Sequence, residues 1–162
     1  MNQSQSRIQS IALIHHLLYE NEGLSTVSTQ MYIEKLMREI SNIFDPEKKV
    51  EISIYCDNIY LSLEQTLSVG MIINESVTNS FKYAFSKIEN PKINIECNQT
   101  ENNEIKFIIS DNGYPSEVNI KNSKGIGVHI IKDMVNSLEG KLNINTNHGF
   151  KYVISFTLKV TK

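Results

Sequence analysis

Glu75, Asn79 and Lys82 place a carboxylate, a carboxamide and an ammonium at helical spacing. At about 100° per residue they fall within about 60° of arc, together with Ser68 and Ser86. Val69, Ile73, Val77 and Ala84 centre the opposite, apolar face, flanked by Phe81. Such a stripe suits a divalent cation and the phosphates it bridges: the Asn oxygen is a hard ligand for magnesium, and the Lys brings a point charge to a phosphate oxygen. The alternative is a solvated face with an i,i+4 pair.

Two further segments carry chemistry. Phe107 to Ser110 is apolar and runs straight into Asp111-Asn112-Gly113. A carboxylate at a strand end beside apolar walls accepts one exocyclic amine hydrogen bond, which separates adenine from guanine; the alternative is a surface turn. Lys124-Gly125-Ile126-Gly127 precedes a helical pattern. Glycines there let backbone N–H groups approach an anion at the positive end of the helix, although a flexible turn has the same composition.

The elements that must position these groups can be read from periodicity. Arg7 to Glu20 sets Ile8, Ile11, Ile14 or His15, and Leu18 on one helical face, and Gly23 breaks it. Ser28 or Thr29 caps a second helix carrying Met31, Ile33, Leu36, Met37, Ile40 and Phe44, which Asp45-Pro46 ends. Val50 to Cys56 alternates as a strand, and Ser62 caps a helix running from about Leu63 to about Phe85. Lys92–Asn98 and Glu104–Ser110 read as a hairpin. Asp111 to Lys124 reads as a loop, and a fourth helix opens at Gly125 and closes at Gly140. Leu142–Thr146 and Phe150–Val160 are the last strands. Helices interrupting a hairpin-connected sheet predict an α/β two-layer sandwich, its mixed, mostly antiparallel sheet covered on one face by helices.

Composition sets bounds. The 162 residues, 40% hydrophobic and 21% charged, are those of a globular chain with room for one core. A net charge of −2 argues against nucleic-acid binding. No apolar run nears the ~18 residues that cross a bilayer, so membrane contact is not expected from this segment, and a cytoplasmic location is. Cys56 and Cys97 lie in apolar strand-like stretches without metal-ligand spacing and read as reduced core thiols.

Asn74 to Ala84, reading Asn-Glu-Ser-Val-Thr-Asn-Ser-Phe-Lys-Tyr-Ala, resembles the N box of the ATPase superfamily that joins gyrase, the heat-shock chaperone, MutL-type proteins and histidine kinases. Asp111-Asn112-Gly113 resembles its first glycine box and Gly125-Ile126-Gly127 its second, in the family's order, over about residues 50–160. Arg7 to Tyr19 resembles the second dimerisation helix of one class of sensor histidine kinase, with Ser10 where Ala is usual. The class places its phosphoacceptor on a preceding helix, so His15 and His16 are expected to be packing or surface histidines.

The resemblance implies an ATP-binding (Bergerat-type) domain over 26–162, preceded by a remnant of a dimerisation helix over 1–25. It implies that Asn79 holds magnesium, and that Glu75 sits beside the metal or positions a water. Lys82 and Tyr83 would contact phosphate oxygens, Asp111 would accept the adenine amino group, and Gly113 would let the loop pass the base. Lys124, Gly125 and Gly127 would close over the phosphates. The implied partners are ATP, the protein's own phosphoacceptor domain, a response regulator and a second copy in a homodimer. The expected activity is histidine kinase, with the accepting histidine outside this chain, so the isolated chain should not autophosphorylate. A stand-alone serine kinase acting on sigma-factor regulation, or a non-catalytic module of the same fold, is the alternative. Phe150 stands where relatives often carry a Thr that helps to bind adenine. Asp111→Ala is expected to abolish nucleotide binding with the fold intact.

Overall fold

A computed structural model describes residues 8, 11, 12, 15, 16, 19, 25–114 and 125–159. The described residues of the N-terminal segment are helical; Ile8, Ile11 and Tyr19 are exposed, and the His15 and Tyr19 rings lie 5.3 Å apart. Ile14 and Leu18, predicted on the same face, lie outside the described residues.

The main body begins with a short strand β1 (Thr26–Ser28) and helix α1 (Thr29–Phe44). Tyr32, Ile33, Leu36, Met37 and Ile40 form the buried face of α1, whereas Met31, predicted on it, is exposed. Asp45 stops α1 and also organises the connection after it, its two carboxylate oxygens accepting from the Lys49 and Val50 N–H groups at 2.9 Å. Strands β2 (Glu51–Cys56) and β3 (Tyr60–Ser62) lead into helix α2 (Leu63–Asn79), where Ser62 accepts from the Gln65 N–H as a cap should. β1 and β3 pair as a two-stranded antiparallel ribbon that periodicity does not predict, since three residues are too few to show alternation.

A main sheet of five strands is built from β2, β4 (Lys92–Gln99), β5 (Glu104–Asp111), β6 (Lys141–Asn145) and β7 (Lys151–Thr157), in the order β2-β4-β5-β7-β6. Only the β2–β4 pair is parallel. Ile93, Ile95, Cys97, Ile105, Phe107, Ile109, Tyr152, Ile154 and Phe156 point from one face into the core, against α1, α2 and helix α3 (Ile126–Ser137). The predicted two-layer architecture is the observed one.

The chain corrects the sequence reading of α2 in two places. It is not amphipathic: Asn74, Glu75, Ser76 and Thr78 are all buried, because α2 lies between α1 and α3. Its hydroxyls need no solvent. Thr66, Ser76 and Thr78 donate to carbonyls one turn back at 2.7–2.8 Å. Nor does the α-helix reach Phe85; Ser80–Ala84 form a π-helical turn, so the projection at 100° per residue fails beyond Asn79.

The end of α3 differs as well. The left-handed residue is Glu139, at φ 54°, and the Gly140 N–H bonds the Val135 carbonyl at 2.9 Å. Gly140 serves close packing instead, since a Cβ there would sit 2.7 Å from the Ser155 carbonyl oxygen. Glu139→Gly is therefore expected to stabilise the fold by about 0.5–1 kcal/mol, because a left-handed L-residue is strained. A higher urea midpoint at unchanged slope would show it; a lower midpoint would mean that the exposed Glu139–Lys159 pair, 3.5 Å apart, outweighs the strain.

Candidate functional site

Three elements converge on Asp111. The carboxylate ends β5 and is buried, at 7% exposure. Its Oδ1 accepts from the Gly113 N–H at 2.9 Å and from the Phe150 N–H at 3.1 Å. Its Oδ2 accepts from the Ser80 hydroxyl at 2.6 Å. Of the roughly four lone-pair positions on an ionised carboxylate, three are used, leaving acceptor capacity on Oδ2. The burial cost is met by two backbone dipoles and a hydroxyl, with no counter-charge among the described residues.

Glycine and turn chemistry hold this arrangement. Gly149 has φ 85°, and a Cβ there would sit 2.1 Å from the Asp111 carbonyl oxygen. Gly113 abuts the π turn, where a Cβ would lie 2.3 Å from that of Ala84. Asn112 faces away: its Oδ1 accepts from the Lys92 N–H at 2.7 Å and its amide donates to the Asn90 carbonyl at 2.8 Å. The Asp-Asn-Gly triplet is thus both a turn and a site, divided between its residues.

Above Asp111 opens a narrow cleft. Ser76, Asn79, Ser80, Tyr83 and Ala84 form one wall, and Val128, Phe150 and Tyr152 the other. The stacked rings of Phe150 and Tyr152, 5.6 Å between centroids, give that second wall a flat apolar surface. Burial and the negative charge of Asp111 push the Tyr152 phenol above its ordinary range, so it stays neutral. Val128, in the first turn of α3, brings the positive end of that helix to the cleft.

The predicted residues divide. Asn79, Tyr83 and Asp111 share the cleft. Gly125 is the N-cap of α3, and Gly127 lies in its first turn, half-buried. Glu75 is buried and does not line the cleft, and Gly113 packs on Ala84. Lys82 is turned to the other side of the π turn, its Nζ 5.5 Å from the Phe44 ring centroid. Lys124 lies outside the described residues. Sequence reasoning missed Ser80 and the packing of Gly149. Ser80 carries no periodic signal, and Asn147-His148-Gly149 announces a turn but not what it packs on.

Among the described residues no three His, Cys, Asp or Glu side chains are placed to hold a metal. Likewise, no described helix is long and apolar enough to cross a membrane.

A mixed five-stranded sheet under helices is the fold that this chain shares with solved histidine-kinase catalytic domains. The histidine kinase domain of the Erythrobacter litoralis EL346 blue-light activated histidine kinase superposes with a TM-score of 0.78 at 17% identity, covering 98% of this chain and 76% of that one. The catalytic domain of the histidine kinase ThkA superposes with a TM-score of 0.60 at 15% identity, covering 83% of this chain and 98% of that one.

In sequence, residues 1–44 match the HisKA_2 family of histidine kinases. Blue-light-activated histidine kinase 2 of Erythrobacter litoralis is 19% identical over 133 residues, 81% of this chain and 38% of the relative's length. The family match covers residues 1–44, and the fold of the main body is the one seen in solved histidine-kinase catalytic domains. The family match runs past residue 25 through α1, whose buried face belongs to the core of the main body.

Proposed function

We propose that the domain binds ATP in the cleft above Asp111 and orients it for phosphoryl transfer to a histidine of the dimerisation helices, from which a response regulator takes the phosphate. One observation carries this reading: a buried carboxylate with spare acceptor capacity at the base of a cleft whose other wall is an aromatic pair. The Asp111 Oδ2 accepts the adenine amino group, and Phe150 and Tyr152 supply the apolar surface for the base. The triphosphate runs along α2 past Asn79 and Tyr83 toward the first turn of α3, whose N–H groups and dipole face anionic oxygens. Gly125 and Gly127 leave that backbone open to approach. Lys124 and Lys82 are the cations assigned to phosphate, Lys82 by rotating off Phe44.

The donor set fits magnesium. A single amide oxygen at Asn79, without a carboxylate cage, suits an ion that keeps waters and takes its other ligands from phosphates. Magnesium would neutralise charge on the phosphates when bound. Glu75, one turn before Asn79, is assigned a place behind that ligand. Transfer needs little covalent work from such a domain; positioning of the γ-phosphate in line with an imidazole is its contribution. The dimerisation helices are assigned to residues 1–25 and what joins them, with two copies of the chain meeting there.

Titration calorimetry with ATP, with and without magnesium, tests the reading. Asn79→Ala should weaken ATP binding about tenfold or more in magnesium while changing magnesium-free binding little. Equal losses in the two conditions would remove the metal role, and no heat from the unaltered protein would remove the reading itself.

A further inference from the structure

The chain's two cysteines are brought together by the sheet. Cys56, the last residue of β2, is in register with Cys97 of β4 in the parallel pair, so the two side chains leave the same face. The ladder clamps both sides of this pair: Tyr55 is registered with Glu96, and the Asp57 N–H bonds the Cys97 carbonyl at 2.9 Å. Neighbouring strands run about 4.8 Å apart, inside the roughly 4.4–6.8 Å between Cα atoms that a disulfide spans. Cys97 is buried in the core, whereas Cys56, on the edge strand, is partly open to solvent.

We propose that Cys56 and Cys97 form a redox-modification site, a cross-strand dithiol that low-molecular-weight disulfides close to an intramolecular bond. Cys56 is the entry point: the Cys97 thiol donates a hydrogen bond to it and holds it below the ordinary thiol range, against the opposing effects of its burial and of the Asp57 and Glu34 carboxylates. Its thiolate attacks one sulfur of the oxidant RSSR, forming a mixed disulfide and releasing RS⁻. Cys97, pushed upward by that hydrogen bond and by burial, gives its proton to the released thiolate and attacks the Cys56 sulfur. The second RS⁻ leaves and takes up the proton originally lost from Cys56. Overall, two protein thiols and RSSR become one protein disulfide and two RSH. The product would tie the edge strand β2 covalently to the sheet. The site is independent of the nucleotide reading.

The experiment incubates the native protein with oxidised glutathione, quenches with acid, alkylates free thiols after unfolding, and measures intact and peptide masses. The expected result is simultaneous loss of both thiols in a monomer, a Cys56–Cys97 cross-linked peptide, no lasting glutathione adduct, and recovery of both thiols with dithiothreitol. In Cys97→Ala the reaction should stop at a glutathione adduct on Cys56. A wild-type protein that accumulates the Cys56 adduct with Cys97 still free, that joins to a second copy through Cys56, or that keeps both thiols would overturn the proposal.

Discussion

Asp111→Asn is expected to lower ATP affinity about 100-fold or more while the domain stays folded. The asparagine Oδ1 can still accept from the Gly113 and Phe150 N–H groups, so the backbone links that shape the turn persist. In place of Oδ2 stands an amide NH₂. The Ser80 hydroxyl can reverse and accept from it, but an exocyclic amine then meets a donor instead of an acceptor. Losing a charge-assisted hydrogen bond and leaving donors opposed costs about 3 kcal/mol, which is the stated factor. Calorimetry, paired with a thermal melt on the same sample, reads both halves. Wild-type affinity in a folded Asp111→Asn protein would remove the adenine assignment. Alanine is the poorer probe, contrary to the sequence-based expectation. It strands the Gly113 and Phe150 N–H groups, each at about 1–3 kcal/mol, so lost binding would be confounded with lost stability.

The second large effect belongs to Gly149. At φ 85° a side chain is strained by about 1–2 kcal/mol. The added Cβ would also fall 2.1 Å from the Asp111 carbonyl oxygen and 2.9 Å from its Oδ1, and the first of these is backbone that cannot swing aside. Gly149→Ala is therefore expected to cost about 3 kcal/mol or more, lowering Tm by roughly 6 °C or more, and to weaken ATP binding through displacement of Asp111. A melt within a degree of wild type would show that the β6–β7 turn yields, and that Asp111 is held by other contacts.

Most of the fold was legible because alternation and capping report local chemistry. Val50 to Cys56 alternates because one side faces the core, and Ser62 caps α2 because a hydroxyl there satisfies an orphan N–H. The parallel pairing of β2 with β4 was not legible; register between strands separated by a helix is decided by the packing of that helix. Nor was the burial of Glu75. A polar residue announces solvent only if nothing in the fold encloses it, and α1 and α3 enclose α2. Asp111 and Asn79, singled out by residue type and spacing, both line the cleft. Ser80 was not singled out, because a serine inside a helix has the same appearance whether it bonds its own backbone or a carboxylate from another strand. Lys82 lies against Phe44 for a geometrical reason, since the turn that carries it is wider than an α-turn.

That wide turn cannot be regularised in place. Recasting Ser80–Ala84 as α-helix at unchanged length would restore a uniform helix and leave the local hydrogen-bond ladder complete. Everything downstream would then rotate by about 100° relative to α2. The Ala84 carbonyl, which accepts from the Tyr114 N–H at 3.2 Å, and the Ala84 methyl that meets Gly113 would both swing off the loop they brace. The surplus residue is a spacer that trades helical regularity for alignment between two parts of the cleft.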